Sequence, residues 1–270
     1  MSIVAEKVSV SYGSATILDG VDFRAKAGEV TAIVGPNGSG KTTLMRAITG
    51  EVDYTGRVEL AGLDVATAKG WELASRRAVL PQATTLAFPF NVIEVVRMGL
   101  LSGAHADDDN LPLRALAAVG LCGYAARFFQ ELSGGEQQRV QLARVLVQVW
   151  EPVDDRGPNW LLLDEPISSL DIAHQLEVMN IVTRYARAGG GVVAVLHDLN
   201  LTAVYADRVT IMREGRPVAT GTPKEVMIDQ VLSDVYGCAL QVGATPDAST
   251  PFLLPHCASA GHGARSGSSP

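Results

Sequence analysis

Residues 35–42 form a glycine-rich run that ends in a lysine and a threonine, a pattern that suits phosphate binding. In order they are Gly35, Pro36, Asn37, Gly38, Ser39, Gly40, Lys41 and Thr42, and they match the spacing G-x-x-x-x-G-K-[ST]. Glycines allow main-chain N–H groups to surround phosphate oxygens, Lys41 can reach the outer phosphates, and Thr42 can bind Mg²⁺. A plain glycine-rich turn is the alternative, but it would rarely match every position. We predict a nucleotide site here that also includes Thr43.

Two adjacent carboxylates, Asp164 and Glu165, end an apolar run that is typical of a buried strand. Side chains that follow one another on a strand point to opposite faces, so the two acids can take different tasks. We expect Asp164 to hold Mg²⁺ and Glu165 to act as the general base toward an attacking water. Such a pair alone would more often be a solvated strand end, and its occurrence beside a phosphate loop favours the catalytic interpretation.

Ser133, Gly134 and Gly135 precede a long segment with helical character. A serine is a favourable N-cap, and paired glycines expose main-chain donors at the positive end of the helix dipole. The helix start is therefore a second candidate anion site. A cap without any ligand is the alternative.

The elements predicted around these motifs alternate between strands and helices. A strand at 30–34 leads through the glycine-rich run into a helix at 42–48, and apolar residues recur at helical spacing over roughly 91–149. From residue 160 strands and helices alternate again, with a helix expected at 172–186. This order predicts an α/β fold with a mainly parallel sheet, an N-terminal antiparallel β part and an inserted helical lobe.

The run of Leu132, Ser133, Gly134 and Gly135, together with the phosphate loop, resembles the signature of the ABC ATPase family over about residues 1–240. This resemblance implies a P-loop NTPase core that hydrolyses ATP with Mg²⁺. Our predicted boundaries are an ATPase domain at 1–245, with the RecA-like core and β part at 1–82 and 156–245 and the helical lobe at 83–155. Residues 246–270 are rich in small and polar residues and are expected to be a disordered tail.

The resemblance also assigns roles to residues outside the main motifs. Tyr12 would stack on adenine, with ordinary packing as the alternative, and Gln82 would sense Mg²⁺ and the γ-phosphate. His197 follows an apolar run, at the sheet edge where α/β proteins bind ligands, and matches a histidine that contacts the γ-phosphate. Asp171 would lie in a loop near the partner's site, although it is equally suited to cap a helix. The family resemblance further implies a head-to-tail dimer, with each ATP between one copy's phosphate loop and the other copy's Ser133, Gly134 and Gly135.

Composition excludes several classes of partner. The formal net charge of -7 and the absence of a basic cluster argue against nucleic acid. No apolar stretch approaches the roughly 20 residues that span a bilayer, and the three cysteines lack metal-like spacing, which favours reduced thiols in the cytosol. We expect peripheral attachment to the cytoplasmic face of the inner membrane through a separate permease. The loop after Gln82, with Phe88 and Phe90, is the candidate contact, and packing of these rings within the helical lobe is the alternative.

Several segments resemble the haem (hemin) importer subclass of the family, namely residues 76–82, 87–90, 148–152, 166–171 and 236–238. This likeness implies import of haem, with a periplasmic or surface binding protein as an indirect partner. Importers of ferric siderophores or cobalamin are the alternative, and a soluble ABC ATPase is a more remote one. The pair His256 and Cys257 falls in the expected tail, and we assign it no role in binding haem.

Overall fold

The computed structural model of the chain describes residues 1–82, 88–102, 108–247 and 249–254. The strands in these residues are β1 Ser2–Tyr12, β2 Ala15–Lys26, β3 Val30–Val34, β4 Thr55–Leu60, β5 Leu63–Asp64, β6 Arg77–Leu80, β7 Val153–Asp154, β8 Gly157–Pro158, β9 Trp160–Asp164, β10 Gly191–Val195, β11 Arg208–Arg213 and β12 Arg216–Gly221. The helices are α1 Lys41–Thr49, α2 Gly70–Ala74, α3 Val92–Arg97, α4 Leu111–Ala118, α5 Gly134–Gln148, α6 Ile172–Arg187, α7 Leu199–Tyr205, α8 Pro223–Val226 and α9 Asp229–Tyr236.

A six-stranded sheet with the order β12-β11-β3-β10-β9-β6 forms the centre of the fold. All its neighbouring pairs are parallel except β11 with β12. Every residue of β3, β9 and β10 is buried, as expected for parallel strands covered on both faces. The predicted α/β fold with a mainly parallel sheet is confirmed.

A second, four-stranded sheet has the order β2-β1-β4-β5 and is antiparallel throughout. Its strands β1 and β2 alternate between buried and exposed residues, which is the pattern of a sheet with one face on the core. Helix α1 fills the space between the two sheets, with Leu44 and Ile48 in one apolar cluster with Leu18 and Trp160. The phosphate loop that precedes α1 is therefore anchored from both sheets.

Helices α3, α4 and α5 lie in the region where helical spacing was predicted. Their apolar faces share one cluster with the parallel sheet, through residues such as Val95, Leu116 and Leu142. Phe90 packs on this cluster, whereas Phe88 is 67% exposed. The packing alternative for the loop after Gln82 thus holds for Phe90 only, and residues 83–87 of that loop lie outside the described residues.

Most of the predicted disordered tail, including His256 and Cys257, lies outside the described residues. The described part of the tail at residues 249–254 contains no helix or strand. Cys122 and Cys238 form no disulfide with each other and are both exposed. Within the described ranges, no helix is long and apolar enough to cross a membrane.

The segment before Trp160 forms the β7–β8 hairpin, which the sequence did not predict. Arg76, only 5% exposed, holds it: Nη1 donates to Asp154 Oδ1 at 2.8 Å and Nη2 to the Pro158 carbonyl at 2.8 Å. Arg156 donates to the same carboxylate at 2.6 Å. Burial would raise the pKa of Asp154, but the hydrogen bonds from Arg156 and Arg76 outweigh it and lower the pKa from 3.8 to about 2.

Asp154→Asn is expected to destabilise the protein at neutral pH by about 1–3 kcal/mol, since charged hydrogen bonds are lost. The folded pKa lies below the unfolded one, so the native carboxylate contributes stability above pH 3.8 and loses it as the pH falls to about 2. Urea unfolding at a series of pH values should therefore show the gap between wild type and variant closing over this window. The exposed neighbour provides the control, Asp155→Asn, and a gap independent of pH would contradict the assignment.

Candidate nucleotide site

The phosphate loop connects the buried strand β3 to α1 and contains three glycines with positive φ, of which Gly35 and Gly40 also have no room for a side chain. Gly35 has φ 150°, and a Cβ there would lie 2.2 Å from the carbonyl oxygen of Met212. Gly40 has φ 97° and caps α1, and a Cβ there would lie 2.8 Å from Leu18 Cδ2. Side chains at either position would push the loop away from its supports, so the sequence pattern reflects steric necessity as well as phosphate chemistry.

Lys41 is the first residue of α1 and is only 6% exposed. Its Nζ donates to the carbonyl oxygens of Gly35 and Pro36, at 2.9 Å each. Burial lowers the pKa of Lys41, while the nearby Glu165 and Asp164 act in the opposite direction. The ammonium group is thus held at the loop, where a bound anion would offset the free-energy cost of burying its charge.

Asp164 ends β9 and is 4% exposed. Burial raises its pKa, and the Thr42 hydroxyl, 3.4 Å from Asp164 Oδ1, works against that rise. A buried carboxylate next to a hydroxyl presents the hard oxygen ligands that Mg²⁺ prefers. The described residues contain no cluster of three or more His, Cys, Asp or Glu side chains able to hold a metal alone. Magnesium commonly takes one or two carboxylates and completes its shell with substrate phosphates and water, so this donor set fits it.

Glu165 contacts two other predicted residues at the ends of neighbouring strands. Gln82 Nε2 donates to Glu165 Oε1 at 2.9 Å, and His197 Nε2 lies 2.5 Å from the same oxygen. The Glu165 side chain is 14% exposed and that of His197 is 42% exposed. Glu165 also has φ 54°, a left-handed conformation that is uncommon for a residue with a side chain and often found at functional sites.

One cavity of about 570 Å³ collects most of the predicted residues. Its lining consists of Ile17, Asn37, Gly38, Gly40, Lys41, Thr42, Thr43, Gln82, Glu165 and His197. Tyr12 is not part of the lining and is 51% exposed at the end of β1. Sequence reasoning missed Ile17, because an apolar residue in a strand carries no signal of ligand contact.

The predicted second anion site is the start of α5, away from this cavity. Ser133 caps the helix: its Oγ accepts from the Glu136 main-chain N–H at 3.3 Å. In return the Glu136 carboxylate accepts from the main-chain N–H of Ser133 at 2.9 Å, which lowers the pKa of Glu136. Ser133 therefore caps α5, and Asp171 caps α6, where its side chain accepts from the His174 N–H at 3.0 Å. Both caps are compatible with the further roles predicted for these residues at a partner's site.

Comparison of the sequence with known proteins identifies its relatives. The sequence model of the ABC transporter family matches residues 18–168. The hemin import ATP-binding protein HmuV of Jannaschia sp. (strain CCS1) is 59% identical over 256 residues, which are 95% of each chain. HmuV of Roseobacter denitrificans is 58% identical over 258 residues, which cover 96% of this chain and 99% of the relative.

Solved structures share the fold. The dimeric structure of MJ0796, a bacterial ABC transporter cassette, superposes with a TM-score of 0.72 at 26% identity, covering 82% of this chain and 98% of that one. An ATP-binding subunit of an ABC transporter superposes with a TM-score of 0.74 at 21% identity, covering 91% of this chain and 96% of that one. A phosphate loop between a buried strand and a helix, at the edge of a mainly parallel sheet, defines a P-loop nucleotide-binding protein. The chain belongs to the ABC transporter family, as an ATP-hydrolysing subunit.

Proposed function

We propose that this chain is the ATP-hydrolysing subunit of an importer that carries haem (hemin) across the membrane. The observation that carries the proposal is 54% to 59% identity to hemin import ATP-binding proteins over 93% or more of this chain. Such identity extends well beyond the ATP-binding motifs.

In this proposal, different residues at the nucleotide site bind ATP, accept the proton and orient the reacting groups. Lys41 and the phosphate loop, with Asn37, Ser39 and Thr43, bind the phosphates of ATP, and Tyr12 stacks on adenine. Glu165 takes a proton from the attacking water. Gln82 and His197 both reach Glu165 Oε1, so they orient the carboxylate and contact the γ-phosphate from either side.

Thr42, Asp164 and Gln82 are the residues that would hold Mg²⁺. When bound, the ion neutralises charge on the phosphate oxygens of ATP. Asp164 is suited to this task because it is buried without a cationic side chain in direct hydrogen-bond contact among the described residues. A cation next to the carboxylate would counter the burial that raises its pKa.

A second copy of the chain completes the active unit in this proposal. The start of α5 in one copy, with Ser133, Gly134 and Gly135, faces the ATP held by the phosphate loop of the other copy. The Glu136 carboxylate accepts a hydrogen bond from the Ser133 N–H at this helix start, so it must move aside when phosphate binds there. ATP binding closes the dimer and hydrolysis reopens it. The movement is passed to a membrane permease on whose cytoplasmic face the subunits lie, and a periplasmic or surface binding protein delivers the cargo. The net charge of -7 opposes a role with nucleic acid.

ATPase assays in liposomes would test the cargo. The chain is co-purified with the permease encoded beside it, and binding proteins loaded with haem, a ferric siderophore or cobalamin are added in turn. We expect stimulation by the haem-loaded protein, because only productive docking completes the transport cycle. Empty binding protein and the Glu165→Gln variant serve as controls. Stimulation by the siderophore- or cobalamin-loaded protein alone would assign a different cargo and leave the ATPase function intact.

A further inference from the structure

Gln138 lies on α5, one turn after the helix start, and its amide bridges two points of the segment that carries Glu165. Its Nε2 donates to the main-chain carbonyl of Glu165 at 2.8 Å, and its Oε1 accepts from the Ser169 N–H at 3.2 Å. The side chain is half-buried. The donor and the acceptor of the Gln138 amide therefore both form hydrogen bonds with the loop that follows β9.

The Glu165 main chain needs such support. Its φ of 54° is a conformation that costs a residue with a side chain about 1–2 kcal/mol relative to the ordinary regions. Strained conformations persist only where the surroundings fix them. The Glu165 N–H donates to the Val195 carbonyl at 3.2 Å, which secures one side of the residue. On the other side, the Glu165 carbonyl accepts from Gln138 at 2.8 Å, and from the Ser168 Oγ and N–H at the longer distances of 3.3 and 3.4 Å.

The helix start itself packs on the same loop. A Cβ built on Gly135 would lie 3.2 Å from the Ser169 carbonyl oxygen and 3.3 Å from Leu170 Cδ2, so α5 and the loop are in close contact without any intervening space. Any shift of the N-terminal turn of α5 is thus transmitted to residues 165–170. Gln138 is the polar link in this contact that reaches Glu165 itself.

We propose that Gln138 is a positioning residue for ATP hydrolysis, holding Glu165 in its left-handed conformation and making the direction of its carboxylate depend on α5. This inference rests on the proposed role of Glu165 as the base. Gln138 does not line the nucleotide cavity of its own chain. Its loss should therefore affect the rate of the chemical step while leaving the binding of nucleotide in place.

The test measures kcat and KM for ATP hydrolysis by the full-length chain, and the affinity for a fluorescent ATP analogue. Gln138→Ala should lower kcat about 10- to 100-fold, as a misplaced catalytic group does, with analogue affinity changed by no more than about twofold. Gln138→Glu keeps the acceptor for Ser169 but loses the donor to Glu165, so it should be slow as well. This second variant also provides a measurement if the alanine variant fails to fold.

Gln148→Ala is the matched control, since Gln148 is a half-buried glutamine at the other end of the same helix. Its amide likewise makes two hydrogen bonds to the main chain, although here Nε2 donates both, at 2.8 Å to the Ala74 carbonyl and 2.9 Å to the Arg77 carbonyl. The two alanine variants therefore remove the same groups from α5. The control should keep kcat close to wild type even if its melting temperature falls.

Three results would overturn the inference: wild-type kcat in Gln138→Ala, wild-type kcat in Gln138→Glu, or an equal loss of kcat in Gln148→Ala. In each case an inactive Glu165→Gln variant would leave the proposed function standing. If Glu165→Gln itself kept wild-type kcat, the base assignment would fail, and this failure is distinct from one that concerns Gln138 alone.

Discussion

Glu165→Gln is expected to reduce the rate of ATP hydrolysis by about 10²- to 10⁴-fold, the usual contribution of a general base. The amide cannot accept a proton from water but has nearly the shape of the carboxylate. Binding of ATP should therefore stay close to wild type, and the dimer should remain closed around it. Steady-state hydrolysis, ATP-analogue affinity and size-exclusion chromatography with ATP measure these three properties.

Glu214→Gln is a suitable control for this variant. Glu214 also has positive φ, at 51°, but its side chain is 80% exposed and does not line the nucleotide cavity. Exposed substitutions usually change free energies by less than about 0.5 kcal/mol, so its activity should match wild type. Unimpaired hydrolysis by Glu165→Gln would remove Glu165 from the role of base.

Lys41→Ala is expected to fail at an earlier step, the binding of ATP. A charge-assisted hydrogen bond contributes about 1.5–3 kcal/mol, so affinity should fall about 10- to 100-fold or more. The alanine also leaves the carbonyls of Gly35 and Pro36 without the donor that they now have. Isothermal titration with ATP in the presence of Mg²⁺ measures the change.

Lys26→Ala serves as the control for charge alone, because Lys26 is an exposed lysine at the end of β2. It lowers the net charge by the same amount and should leave ATP affinity unchanged, as exposed sites usually do. Normal affinity in Lys41→Ala would contradict the role of the lysine. A loss of hydrolysis without a loss of affinity would move its contribution from binding to the chemical step.

The parts of the fold that could be predicted are those whose signals are local in sequence. The phosphate loop is recognised from eight contiguous residues, and its flanking strand and helix are predicted from short runs of apolar residues. The helix predicted at 172–186 extends over Ile172–Arg187 in the structure because Asp171 supplies a local cap. The β7–β8 hairpin escaped prediction since its strands are two residues each and depend on the distant Arg76.

The arrangement of the site depends on contacts that no short segment contains. Gln82 and His197 are 83 and 32 residues from Glu165 in sequence, and they meet it because β6, β9 and β10 end at the same sheet edge. Gln138 falls in the segment that the sequence predicts as a helix, and nothing in its neighbours indicates that its amide reaches the carbonyl of Glu165. The left-handed conformation of Glu165 is likewise invisible in sequence, since the following Pro166 and the preceding strand indicate only that the strand ends.

This conformation has a consequence for how the protein responds to selection. At position 165 a glycine, which has no Cβ, would adopt the same φ without strain. Replacement by glycine should therefore offset part of the stability lost with the Gln82 and His197 hydrogen bonds, while abolishing the proposed base. Screens for thermal stability alone would then fail to remove inactive variants at this position. Directed evolution of a more robust subunit should therefore hold residue 165 constant and seek its gains elsewhere in the chain.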